Sequence, residues 1–580
     1  MSSSAETTVF RTCPFCEATC GLELTIEGGA VTRIRGDRDD VFSRGFLCPK
    51  GTTLGHLHDD PDRLRGPLVR RDGELRPATW EEAFAEVARR LPPIVQRHGR
   101  DAVAVYLGNP TVHNLSGMLY GRVLLRALGT RNIFSASTVD QRPKEISSAL
   151  LFGTMVSVPV PDLDRTSYLL LLGANPLASN GSLATAPDWP GRLRRIRERG
   201  GAVVVVDPNR TRTAEQASEH VPIRPGTDAQ LLMAMVHTLF AERLVELGDA
   251  TGFVAGVAVV EELARDFTPE AVAPLCGVDA ATIRRLAREL AAAESAAVYG
   301  RTGTCTQEFG TLTSWLIDVL NVLTGNLDRP GGAMFPLPAH KPAPDGSAAR
   351  RKGFRTGRWH SRVRGFPEVL GELPAAAMAE EMLTPGDGQI RAFVTVAGNP
   401  VLSTPDGRRL DRALAELEFM VSVDPYLNET TRHARVILPP PPLTQRGHYD
   451  FAFSGFAVRN VAKYSPPLVP LAADAMQEGE ILLRLALILG GQGAGADPAA
   501  LADLLLDGEM RRTLPDRDAA DLRAALAGEG AEERVLDFRL RAGAYGDGFG
   551  ARPDGLSLAR LLAHPHGIDL GPLQPQLPEA

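Results

Sequence analysis

Four cysteines stand within the first 48 residues, and their spacing is the strongest chemical signal in the chain. Cys13, Cys16 and Cys20 follow C-x2-C-x3-C, and Cys48 comes after a gap of 27 residues. Two thiolates on a tight turn, a third close by and a fourth returning from a hairpin can wrap one compact metal centre. Such a set suits a [4Fe–4S] cluster or a structural zinc. Paired C-x2-C knuckles are the commoner zinc pattern, and a single returning cysteine leans toward iron–sulfur. Cys276 and Cys305 lie far away and read as small core residues.

The hairpin that would return Cys48 is visible. Leu22-Glu-Leu-Thr-Ile and Val31-Thr-Arg-Ile alternate around Glu27-Gly-Gly-Ala, a turn between two strands. Thr79-Trp-Glu-Glu82 then predicts a capped helix with Phe84, Val87, Ala88 and Leu91 on one face. Beyond it a unit recurs six times: a short β-branched run, a Gly, Asn, Asp or Pro loop, then a helical stretch. The runs are Val103 to Leu107, Tyr168 to Leu172, Val203 to Val206, Ala296 to Tyr299, Phe393 to Val396 and Met420 to Val423. This predicts an α/β protein: a small β-rich cluster domain followed by doubly wound α/β domains with mostly parallel sheets. Ligands of such sheets bind outside the carboxyl ends of the strands. Each loop alone could be a plain turn former. Six together, with Gly-Asn-Pro twice and Gly-Ala-Asn-Pro once, favour a shared ligand.

Composition sets the limits. The chain has 580 residues, a net charge of -7 and 44% hydrophobic residues, which suits several domains of an ordinary globular protein. No basic tract recruits nucleic acid, no apolar run reaches membrane-span length, and six cysteines are too few for a disulfide scaffold. The first ten residues lack a signal-peptide pattern, so a cytoplasmic location is expected. Residues 337–353 read as a Pro/Ala-rich connection with a solvated Arg351-Lys352 pair, and Pro439 to Pro442 as a rigid extended element. Residues 490–580 offer no recognisable chemistry.

Cys13, Cys16, Cys20 and Cys48, followed by Pro49-Lys50-Gly51, resemble the cluster domain of the molybdopterin oxidoreductases. This is the dimethyl-sulfoxide-reductase superfamily, with formate dehydrogenases, nitrate reductases and acetylene hydratase. The resemblance runs over roughly residues 8–470. Gly173-Ala-Asn175-Pro, Asp207-Pro-Asn-Arg210 and Arg224-Pro-Gly226-Thr-Asp228 look like the family's loops for a guanylated pterin. So do Gly303 in the Gly300 loop, Gly325 to Gly332, Gly398-Asn399-Pro and Asp424-Pro-Tyr. The resemblance implies a [4Fe–4S] cluster, a bis(molybdopterin guanine dinucleotide) and molybdenum or tungsten. Gly-rich loops and helix N-termini can hold pyrophosphates, and Asp207 or Asp228 can accept from a guanine edge or a ribose. Lys50 resembles the family's lysine between cluster and pterin, with a surface lysine as the plain alternative.

The family's protein ligand to the metal comes from a loop near residue 140. Laid against it, Asp140 takes the place of a cysteine or selenocysteine, and a carboxylate suits high-valent molybdenum. Asp140 as a helix N-cap, or Ser135 or Ser137 as the ligand, are the alternatives. Gln141 replaces a histidine of the formate dehydrogenases, and Ala333-Met-Phe stands where they carry an arginine. Formate oxidation is therefore not favoured. His113 either faces the pterin or is a plain loop residue.

The domains expected are 1–62 for the cluster, 63–131 with 335–470, 132–334, and a helical 471–580. The family's C-terminal β-barrel cap finds no counterpart in the sequence, so truncation or a separate cap polypeptide is expected. The resemblance implies two-electron chemistry on a small molecule, with electrons leaving through the cluster to a redox partner protein. An iron–sulfur relay subunit without molybdenum and a non-redox hydratase share the fold and stay open as alternatives.

Overall fold

The computed structural model describes residues 6–343 and 354–577. The second half of the connection read at 337–353, with Arg351-Lys352, lies outside the described residues.

The chain opens with an antiparallel meander of β1 (Thr7–Thr12), β2 (Gly21–Glu27) and β3 (Ala30–Gly36). The predicted hairpin turns at Gly28 and Gly29, both at positive φ (59° and 85°), where a side chain would be strained. β2 buries Leu22 and Leu24, while β3 is largely exposed. β4 (Leu68–Arg71) and β5 (Glu74–Pro77) follow, then the helix Trp80–His98. Its capping box is present: the Glu82 amide donates to Thr79 Oγ1 at 3.2 Å, and the Thr79 amide to Glu82 Oε2 at 3.0 Å.

β6 (Val103–Leu107) and β7 (Ile133–Ser135) come next, then the short β8 (Val160–Pro161). β9 (Tyr168–Leu172), β10 (Ala202–Val206), β11 (Glu219–Val221) and β12 (Ala296–Gly300) follow. β13 (Ala333–Met334) pairs with β8. β14 (Ala392–Val396), β15 (Phe419–Val423), β16 (Val436–Leu438), β17 (Asn460–Ala462) and β18 (Ile568–Gly571) complete the strands. The six strand-and-loop units read from the sequence are β6, β9, β10, β12, β14 and β15, each within one residue of its expected bounds.

Two sheets carry the site. One has seven strands in the order β5-β4-β16-β15-β14-β6-β7 and is parallel from β16 to β7. The other has the parallel order β11-β10-β9-β12. Both faces of each sheet are buried, because helices cover them. Val103 and Val105 face one core and Ala104 and Tyr106 the other, which is why these strands read as continuous apolar runs.

The chain crosses the expected divisions in two places. β7 falls in the range expected for the second α/β unit but pairs with β6 in the first sheet. The helix Glu478–Leu489, in the expected C-terminal segment, packs Ile481, Leu482 and Leu485 into the core beneath Val103, Val394 and Val421. After residue 471 the described chain is mostly helical, yet β18 returns to pair antiparallel with β17. No helix among the described residues is long and apolar enough to cross a membrane.

Candidate active site

The β1–β2 connection carries the first three cysteines. The Cys13 amide donates to the Cys20 carbonyl at 2.7 Å, so the loop closes on itself. Cys48 returns at the end of an irregular stretch that Asp40 pins, by accepting from the Ser43 amide at 2.6 Å and its hydroxyl at 2.8 Å. Gly51 follows under Leu47: a Cβ there would lie 2.1 Å from Leu47 Cδ1, which would have to move, and 3.7 Å from Cys13 Sγ. All six cysteines are free thiols, with Cys13 and Cys20 buried. Burial pushes the Cys13 thiol up to about 12, and the neighbouring Cys16 and Cys48 push in the same direction. Burial also raises Cys20 and Cys16, and Lys463 and Lys50 respectively oppose it. Four thiols, of which Cys13, Cys16 and Cys20 resist ionisation alone, are the donor set a metal centre ionises.

Their separation also matters. Among the described residues, the one group of three or more His, Cys, Asp or Glu ligand atoms lying within 4.8 Å of one another is Asp37, Asp39 and His566. No three of the cysteine sulfurs lie that close to one another. A tetrahedral zinc with Zn–S of about 2.3 Å needs sulfurs about 3.8 Å apart, whereas a cluster ligated at its corners needs a wider cage. The thiols are therefore set more loosely than a tetrahedral zinc site requires.

At the carboxyl ends of the two sheets the same construction occurs twice. β9 and β14 each lead into an Asn-Pro loop and a four-residue helix, Pro176–Ser179 and Pro400–Ser403. Thr213 donates its hydroxyl to Asn175 Oδ1 at 2.8 Å and accepts from the Leu177 amide at 3.2 Å. Thr430 does the same for Asn399 at 2.7 Å and the Val401 amide at 3.1 Å. Asp207 Oδ1 accepts from the Asn209 amide at 2.8 Å, and Asp424 Oδ1 from the Tyr426 amide at 2.9 Å. The order β11-β10-β9-β12 thus has its counterpart in β16-β15-β14-β6.

Glycines let the loops meet. A Cβ on Gly303 would lie 2.7 Å from Gly173 Cα, and one on Gly108 would lie 1.8 Å from the Ala397 oxygen and 2.6 Å from Gly398 Cα. In each half two loops therefore meet backbone against backbone at the strand ends, a place where amides can approach a pyrophosphate.

The candidate carboxylates sit on the loops at these strand ends. Burial lifts Asp228 above the ordinary range; Gln307 Nε2 opposes this at 3.0 Å, and nearby Asp207 adds to it. Asp424 is pushed up to about 6 by burial, against the Tyr426 amide and Arg63. Arg210 and Gly226 stand exposed on their loops. Lys50 is exposed, with its charge acting on Cys16 on one side and His113 on the other. Three polar atoms on these loops are buried without a partner: His113 Nδ1, Arg301 Nη1 and Gln307 Oε1. Such atoms, on loops at the strand ends, fit a large polar ligand.

Asp140 ends the short helix Ser137–Asp140, and Gln141 occupies the cap position of the next helix, Arg142–Phe152. The N-cap alternative for Asp140 is therefore not what the fold uses. Ser135 is buried and donates to Glu372 Oε2 at 2.6 Å. Ser137 Oγ accepts from Gln141 Nε2 at 3.5 Å. The Asp140 side chain is 45% exposed, 3.6 Å from Arg301 Nη2, so it can turn to a metal. Burial raises its pKa and Arg301 opposes the rise. Cys276 and Cys305 are core residues, as the sequence predicts.

Comparison with known proteins places this construction. The profile described as molybdopterin oxidoreductase matches residues 63–444, and the profile of its Fe4S4 domain matches residues 6–58. The chain belongs to the molybdopterin oxidoreductase family. This settles the choice left open at the cysteines for a [4Fe–4S] cluster, and membership implies a molybdopterin with molybdenum or tungsten.

Formate dehydrogenase H of Escherichia coli is 25% identical over 499 residues, 83% of this chain and 68% of that protein. A nitrate reductase of Symbiobacterium thermophilum is 27% identical over 463 residues, 74% of this chain and 59% of that protein. The chain thus spans roughly 60 to 70% of the length of these curated relatives. Acetylene hydratase from Pelobacter acetylenicus shares the fold with a TM-score of 0.71 at 19% identity, over 85% of this chain and 71% of that one.

Sequence reasoning missed three side chains of this molybdopterin oxidoreductase. Arg301 and Glu17 meet at Ser182, and Lys463 Nζ reaches Asp40 Oδ2 at 3.0 Å while donating to the Thr19 carbonyl beside Cys20. Arg301 was visible only as a residue of a Gly-Arg-Thr-Gly turn, and Lys463 lies 443 residues from Cys20 with no motif around it.

Proposed function

We propose that the protein is the catalytic chain of a molybdenum or tungsten enzyme. In this reading it holds two pterin dinucleotides and performs two-electron chemistry on a small molecule. The observation that carries it is the duplicated loop junction, Gly173–Gly303 with Asn175–Thr213 and Gly108–Gly398 with Asn399–Thr430. Two equivalent junctions suit two equivalent dinucleotides. Backbone amides of the glycine loops bind the phosphates, and Asp207, Asp228 and Asp424 accept from guanine or ribose donors.

The metal supplies the two-electron redox step when bound. Asp140 is its protein ligand, a hard oxygen donor suited to a high oxidation state. Lys50, placed to act on both Cys16 and the His113 loop, favours an electron on the path between metal and cluster. The buried Cys13 and Cys20 insulate that path, and the half-buried Cys16 and Cys48 leave it open toward a redox partner protein. The relatives named formate dehydrogenase and nitrate reductase support oxidoreduction over hydration, and a reducing compartment such as the cytoplasm keeps the thiols available.

Guanine nucleotide, pterin and metal released from anaerobically purified protein test the reading. About two guanines per chain with one molybdenum or tungsten support it. Iron without pterin points instead to an electron-relay subunit.

A further inference from the structure

Arg301 closes β12 and is 6% exposed. Its fork is held on two sides. Nε donates to Ser182 Oγ at 2.5 Å, and Nη2 faces Gln141 Oε1 at 3.4 Å and Asp140 Oδ2 at 3.6 Å. Ser182 is itself fixed, because its hydroxyl donates to Glu17 Oε1 at 3.2 Å, and Glu17 Oε2 takes the Leu183 amide at 2.6 Å. Gln141 is turned by donating its Nε2 to Glu145 Oε1 at 2.8 Å, which leaves its oxygen toward Arg301. The remaining nitrogen, Nη1, is buried and has no partner. A guanidinium nitrogen held dry with free N–H groups is costly unless something accepts from it.

The charges nearby indicate what that acceptor is. Glu17 and Asp140 are the carboxylates that act on Arg301. Glu17 already accepts from a backbone amide and a hydroxyl, and Asp140 is spent once it ligates a metal. An anionic oxygen then finds, on a guanidinium to which Glu17 makes no hydrogen bond, two free Nη1 N–H donors in a plane, the geometry that suits carboxylates and oxyanions.

We infer that Arg301 binds the substrate beside Asp140 and selects small oxyanions, planar carboxylates included, over neutral oxides. The inference rests on the function proposed above and narrows its substrate class. The arginine is supplied by the β12 loop, whereas the position after Gly332 carries Ala333-Met334-Phe335.

The test measures equilibrium binding to metal-loaded protein, read from the electron paramagnetic resonance of the half-reduced metal rather than from turnover. The probes are nitrate, formate and, as the neutral comparison, dimethyl sulfoxide. Arg301→Gln is expected to weaken nitrate or formate about tenfold to a hundredfold and to leave dimethyl sulfoxide within about threefold. Arg301→Lys keeps the charge and loses the fork, so it falls between.

Equal anion affinity in parent and Arg301→Gln, at equal metal content, overturns the inference and leaves the parent reading standing. Loss of molybdenum or tungsten from Arg301→Gln, with iron retained, also overturns it and assigns Arg301 to the cofactor. Parent protein with iron but neither metal sinks the proposed function and this inference with it.

Discussion

Gly303→Ala tests the loop junction with the least ambiguity. Gly303 has an ordinary backbone conformation, so alanine adds no torsional strain, unlike at Gly173, where φ is +53°. What it adds is contact. The new Cβ would meet Gly173 Cα at 2.7 Å and its oxygen at 2.9 Å. Both are backbone atoms of Gly173, just past the end of β9, so no side chain can swing aside. Restoring van der Waals distance requires the loops to part by roughly 0.7 Å, an overpacking cost of about 1–3 kcal/mol. In the proposed reading, the loop junction that holds one pyrophosphate then loses its amide geometry. The junction at Gly108 and Gly398 lies on the other sheet and stays as it was. The expected result is a fall from about two guanine nucleotides per chain to about one, with iron unchanged at about four. Guanine is counted after acid release and iron by elemental analysis of the same sample. Two guanines retained with iron intact would refute the cradle reading. Parallel loss of iron would refute the claim that the contact is local.

Other perturbations report on the frame around the site. Burial raises Glu532 to about 7 from 4.5, with Ser116 opposing and Glu478 adding to the rise. An acid raised in the folded state costs nothing below pH 4.5, where both states are protonated. The penalty grows to pH 7 and is complete above it. Glu532→Gln should therefore stabilise by up to about 3 kcal/mol at pH 8 and by nothing near pH 4. Urea unfolding at the two pH values checks this, and an equal gain at both would count against it. Lys144, four residues past Asp140, holds buried Asp318 at 2.7 and 2.8 Å. Lys144→Met should cost about 3–5 kcal/mol by stranding that carboxylate, and adding Asp318→Leu should recover most of it; a double-mutant cycle without coupling contradicts the pair's role. Lys463→Met removes a buried cation beside Cys20. The cluster's reduction potential should become more negative in redox titration, and an unchanged or raised potential would rule out the electrostatic role.

Much of the fold was legible because its signals are local. The six parallel strands are short apolar runs cut by Gly, Asn or Asp, and the glycine turn and capping box act within four residues. The cysteines were legible because metal geometry constrains their spacing. What escaped depends on distant packing. β7 is three residues long and carries no mark of which sheet it joins. β18 contains Asp569 and Gly571, lacks alternation and finds its partner more than a hundred residues back at β17. The helix Glu478–Leu489 looked like one of several C-terminal helices, and only its burial under β6 and β14 distinguishes it. Arg301 was hidden for the same reason. An arginine in a glycine turn is ordinarily a solvated charge, and its role rests on Ser182, Gln141 and Glu17 converging from three separate segments.

In the proposed function one chain holds both an iron–sulfur cluster and a pterin-bound metal, the latter beside two matched loop junctions. Elemental analysis of anaerobically purified protein for iron, zinc, molybdenum and tungsten per chain tests it most directly. About four irons with about one molybdenum or tungsten are expected. Zinc in place of iron, or iron with neither of the heavier metals, would contradict it.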